Sequence, residues 1–67
     1  MKKRTNYHIE VCVRPFCGGY LRREYDIECA TKEIAVEIAY RHLRAEAEKK
    51  FNTINGEYSV NLCYEIN

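Results

Sequence analysis

Tyr7-His8-Ile9-Glu10-Val11-Cys12-Val13 alternates apolar with mostly polar residues, Arg14-Pro15-Phe16-Cys17-Gly18-Gly19 interrupts the pattern, and Leu21-Arg22-Arg23-Glu24-Tyr25-Asp26-Ile27-Glu28-Cys29 resumes it. Period-two alternation is the mark of a half-buried strand, and two such runs around a Pro- and Gly-containing loop make a hairpin. Core residues must oppose core residues, which fixes the parity of pairing. Val13 opposite Leu21, Ile9 opposite Tyr25 and Tyr7 opposite Ile27 satisfy it, leaving a loop over Pro15 to Gly19. The same register sets His8 beside Asp26 and Cys12 beside Arg22, with Glu10 facing Glu24.

Working outward, strand one runs from about Asn6 to Arg14 and strand two from about Tyr20 to Cys29. Arg23 falls on the core face of strand two, where its methylenes can cover the core while its guanidinium reaches water, so this strand belongs at a sheet edge. A helix follows from about Thr31, its N-cap, to about Phe51. At 100° per residue Ile34, Ala35, Ile38, Ala39, His42 and Leu43 gather on the buried side, flanked by Val36 and Ala45, while Glu33, Glu37, Arg41, Arg44 and Glu48 face solvent. Asn52 to Gly56 then turns the chain into strand three, whose alternation predicts Tyr58, Val60, Leu62, Tyr64 and Ile66 inward. A right-handed crossover brings strand three to the far side of strand one. The predicted fold is a single α+β domain over residues 1–67, ββαβ, with an antiparallel sheet in the order 2-1-3 and one helix on one face. Residues 1–5 read as a flexible basic tail.

Sixty-seven residues are close to the lower limit for one self-sufficient core. One helix on three strands leaves a sheet face open and has little material for enclosing a substrate, so a binding surface is expected and an enzyme is not. Eleven cations against ten carboxylates give a formal charge of +1, which points to neither nucleic acid nor membrane. No apolar stretch follows Lys2-Lys3-Arg4 as a secretory leader would require, and none is long enough for a membrane span. The expectation is a cytoplasmic protein with reduced thiols, in a bacterial cell or a phage-infected host.

The four cysteines do not make a zinc pattern, since Cys12 and Cys17 lack a second ligand pair at comparable spacing. No metal or other cofactor is expected. Cys29 reads as a small buried hydrophobe, Cys12 and Cys63 as open-face residues on neighbouring strands, and Cys17 as the most reactive thiol. His8 with Asp26, and with Cys63 if the register allows, is the one cluster that resembles a catalytic or metal arrangement. Such pairings arise readily on a charged sheet, and solvated surface is the preferred reading. His42 reads as a core-edge histidine, and Glu46 on the same stripe as a partner for Arg23. Among the tyrosines, Tyr7, Tyr25, Tyr58 and Tyr64 are assigned to the core and Tyr20 lies outside. The open face is therefore His8, Glu10, Cys12, Arg14, Arg22, Glu24, Asp26, Asn61 and Glu65.

The binding residues expected are Arg14, Phe16, Tyr20, Arg22 and Arg23 at the hairpin end, with Glu10 and Glu24 on the open face. An aromatic ringed by arginines has the composition of an interaction hot spot. Phe16 has two readings: a contact residue, or a ring folded over the core end beside Phe51. In size and layout the chain is similar to small phage-encoded regulators and inhibitors of host proteins, anti-CRISPR proteins among them, though no motif ties it to one family. The function expected from these surfaces is a non-catalytic protein-binding module acting through the hairpin loop, the open face or a strand edge, the edge also allowing a homodimer; the resemblance adds a regulator or inhibitor role. The alternative is a nucleic-acid-binding module using Lys2-Lys3-Arg4 with the hairpin arginines.

Overall fold

The computed structural model describes residues 4–66. Its elements are β1 (Thr5–Pro15), β2 (Leu21–Cys29), α1 (Lys32–Phe51) and β3 (Gly56–Ile66), and the sheet is antiparallel in the order β2-β1-β3. The predicted ββαβ fold is thus the observed one. The hairpin register is also as expected, with Val13 opposite Leu21, Ile9 opposite Tyr25, Tyr7 opposite Ile27 and His8 opposite Asp26. Thr5 already pairs with Cys29, so β1 takes in the last residue assigned to the basic tail. Met1, Lys2 and Lys3 of that tail lie outside the described residues.

Gly18 and Gly19 turn the hairpin at φ of 103° and 112°, a region open to glycine and costly for other residues. Gly19 has a second constraint, because a Cβ there would stand 2.7 Å from the Phe51 ring. Gly56 is a close-approach glycine: a Cβ there would meet the Arg14 carbonyl oxygen at 2.6 Å, where β3 enters the sheet against Pro15.

Thr31 caps the helix, its Oγ1 accepting from the Ile34 amide at 3.3 Å. Asn52 ends it in the left-handed conformation, its amide donating to the Glu48 carbonyl at 2.9 Å. The buried helical stripe is Ala35, Ala39, Leu43 and Ala47, four residues at i,i+4 spacing. Ile34, His42 and Ala45, expected on or beside this stripe, are exposed, and Ala47 takes a place that the sequence reading missed. At about 100° per residue this row centres between Ala39 and Leu43, which puts Ile34, His42 and Ala45 roughly 80° or more to one side of it. Small alanines let the helix lie close on Ile9, Val11 and Val13, which are essentially inaccessible. Tyr25, Ile38, Tyr40, Phe51, Tyr58, Val60 and Cys63 pack around that centre. Tyr58 stands edge-on to Tyr40 at 6.1 Å and its hydroxyl donates to the Ile54 carbonyl at 2.7 Å.

β3 departs from the sequence reading in one decisive way. Val11 pairs with Val60 but Glu10 pairs with Leu62, leaving Asn61 as a bulge with no partner on β1. A bulge adds one residue to one strand and so resets which face the following residues use. Tyr58 and Val60 point to the helix as expected, whereas Leu62, Tyr64 and Ile66 point to the open face. Cys63, opposite Ile9, and Glu65, opposite Tyr7, take the helix side instead. Cys63 is half-buried and Glu65 is exposed, so along β3 the helix-side cover ends near Cys63, while Tyr7 opposite Glu65 stays buried.

Candidate functional site

Across the open face three rungs of paired residues repeat one composition. Glu28, Asn6 and Ile66 form the first, Asp26, His8 and Tyr64 the second, and Glu24, Glu10 and Leu62 the third. Each runs from a carboxylate on β2 through a polar residue on β1 to an apolar residue on β3. The apolar row is uncovered, with Leu62, Tyr64 and Ile66 at 44%, 49% and 37% exposure. This row corrects the expectation of an entirely polar open face and of a core placement for Tyr64.

His8 is the hub of the middle rung. Its Nδ1 is 2.6 Å from Asp26 Oδ1 and its Nε2 is 2.9 Å from Glu24 Oε1. Carboxylates accept and do not donate when ionised, so both ring nitrogens must carry protons for both bonds to form. The hydrogen bond to Asp26, then that to Glu24, raises the His8 pKa above its ordinary value. The ring also stacks on Tyr64 at 5.3 Å, tilted by 37°. Asp26 was legible from the register; Glu24, two residues along the same face, was a partner missed. An imidazolium held on both nitrogens offers no lone pair to a substrate proton or a metal. Cys63, which completed the cluster in the sequence reading, sits across the sheet on the helix side. Among the described residues no three His, Cys, Asp or Glu side chains are grouped to hold a metal ion.

Toward the hairpin the face turns polar. Arg22 and Asn61 both donate to Glu10 Oε2, at 3.3 and 3.2 Å. Cys12 lies beneath with its Sγ 3.0 Å from Ser59 Oγ and is only 7% exposed. Its neighbour on β3 is Ser59, on the hairpin side of the bulge, while Cys63 lies beyond the bulge opposite Ile9. Arg14 lies over the Tyr20 ring at 5.7 Å, and with Cys12, Ser59 and Asn61 these residues border a shallow depression of about 460 Å³.

Phe16 is 75% exposed and does not fold over the core; Phe51 does, above Gly19. The two rings face one groove of about 420 Å³, which Cys17 and Asn55 also line. The Phe16 amide donates to the Asn55 carbonyl at 3.3 Å, tying the loop to the entry of β3. Arg23 leans the other way, its Nη2 3.7 Å from Glu46 Oε1, which is the pairing read from the helix stripe. The expected site residues thus divide: Glu10, Arg14, Arg22 and Glu24 belong to the open face, Tyr20 to its hairpin rim, Phe16 to the loop groove, and Arg23 to the β2 edge on the helix side.

Comparison with known families, curated proteins and solved structures gives no match. No helix among the described residues is long and apolar enough to cross a membrane.

Proposed function

We propose that this chain is a non-catalytic protein-binding module whose main contact surface is the open sheet face. The observation that carries this reading is the apolar row Leu62–Tyr64–Ile66, uncovered although the core lies only one strand thickness away. Contiguous exposed apolar side chains rimmed by polar ones mark interaction surfaces. A tyrosine at the centre of such a row, held by His8, supplies a large contact area at low entropic cost. Glu10, Glu24, Asp26 and Glu28 on the same face repel phosphate and weigh against the nucleic-acid alternative.

A second contact at the hairpin end is supported by Phe16, a large ring left at 75% exposure on the groove it shares with Phe51 and Asn55. Capture from an extract of the native host, with wild type compared against Tyr64→Ser and Phe16→Ala, tests both. Loss of the same captured protein with Tyr64→Ser supports the open face, and loss with Phe16→Ala, by about 2 kcal/mol or more in affinity, supports the loop. Undiminished capture by both variants sinks the reading.

A further inference from the structure

We infer that the half of the open face away from the hairpin receives a basic amphipathic helix of another protein. The inference rests on the protein-binding reading above and names the chemistry of the partner. Its basis is the repeated rung. Glu28, Asp26 and Glu24 form one row on β2, and Ile66, Tyr64 and Leu62 form a parallel row on β3, two strands away. Adjacent strands lie about 4.8 Å apart and alternate residues of a strand about 6.8 Å apart, so the rows are roughly 10 Å apart and each has a step of about 7 Å. An α-helix is about 10–12 Å across with its side chains and advances about 6 Å in four residues. Laid along β1, it reaches both rows at once. Its apolar stripe at i, i+4 and i+8 meets Leu62, Tyr64 and Ile66, and a flanking stripe meets the three carboxylates. Asn6 and His8 in the middle row are half-buried or small enough to lie under its axis.

Charge selects the class of partner. The three rungs carry four carboxylates, counting Glu10, against His8 in its protonated form and Arg22 at the border. Glu28 makes no ion pair among the described residues, while Glu24 and Asp26 are 49% and 69% exposed beyond their bonds to His8. Lysine and arginine on the flanking stripe complement this row; glutamate does not. The same pattern disfavours a second copy of this chain stacked face to face. A two-fold axis along the strands sets β2 carboxylates over the partner copy's apolar row, and an axis across the strands sets carboxylates over carboxylates. Pairing through the β3 edge is restricted as well, because the bulge leaves only Leu62 to Ile66 as a regular stretch next to the apolar row.

The test uses the full chain, 15N-labelled, and two synthetic helical peptides that share one leucine stripe and differ only in a flank of lysine or of glutamate. The basic peptide should shift the amides of residues 6–10, 24–28 and 62–66, with an affinity that falls at least tenfold between low and high salt. Tyr64→Ser should weaken it at least tenfold. Glu24→Lys with Glu28→Lys, which keeps Asp26 for His8, should reverse the preference toward the acidic peptide. All three positions are exposed, and an unchanged circular dichroism spectrum confirms that each variant folds. Equal binding of both peptides overturns the charge assignment and leaves the protein-binding reading standing. No shift from either peptide overturns the inference, as does self-association mapped to β3 or a single-stranded RNA probe that shifts these same amides. Host-extract capture, which uses no peptide, decides the broader reading separately.

Discussion

Ala39 shows how much a single position constrains this fold. It is fully inaccessible at the centre of the helical stripe, and its small side chain sets the distance between α1 and the sheet. Ala39→Leu should cost about 1–3 kcal/mol by overpacking, read as a lower urea midpoint at unchanged slope. His8 has an effect of a different kind. Its folded-state pKa is raised, chiefly by Asp26 and then by Glu24, so its contribution to stability is complete below the ordinary value of 6.5 and is lost as pH rises through the folded value. Denaturation midpoints should therefore fall with rising pH across that window, and His8→Gln should flatten the slope. A profile that rises with pH there, or an NMR titration of His8 at or below 6.5, would contradict the double clamp. The Tyr25 hydroxyl is buried without a hydrogen-bond partner among the described residues, its ring lies tilted against His42 at 5.3 Å, and burial pushes its pKa up.

At the scale of the element, the bulge in β3 decides the surface. Period-two alternation is present on both sides of Asn61, which is why the sequence reads as one uninterrupted strand. Removing one residue from such a strand restores regular pairing without moving anything to the other face, because Val60 and Leu62 then alternate in sequence as they already do in space. Deletion of Asn61 should therefore yield a folded protein that loses only the Asn61 bonds to Glu10 and Cys12. Paired substitutions give an independent check. Val60→Ser should cost roughly 1–2 kcal/mol as burial on the helix side is lost, whereas Leu62→Ser should cost less than about 1 kcal/mol, as expected for a surface position. Equal and large losses at both positions would place Leu62 in the core and remove the apolar row.

For the whole molecule, the expectation is that strands and helix alone hold the fold. The core cluster spans all three strands and α1, and all four cysteines are free. Chelator and reductant together should leave the circular dichroism spectrum and thermal midpoint unchanged. Thiol labelling of the native protein should proceed at Cys17 first, the one exposed cysteine, with Cys12 and Cys29 protected until global or sub-global opening. Rapid labelling of Cys29 would show that the helix is not docked over the end of β2.

The hairpin register, the helix and its Thr31 cap, the order of strands, and the Arg23–Glu46 and His8–Asp26 contacts are all legible in the chain. These follow from local periodicity and from the parity that a short hairpin imposes on its two strands. Which face the end of β3 presents, where the buried helical stripe finishes, and that Phe51 rather than Phe16 closes the core depend on packing between elements. Alternation states that neighbouring side chains point in opposite directions and leaves open which of the two is inward. For β3 that choice was made by the bulge at Asn61, a property of its pairing with β1, a strand distant in sequence. The candidate site was correspondingly half legible: its carboxylates and arginines could be read from the hairpin, and its apolar row could not.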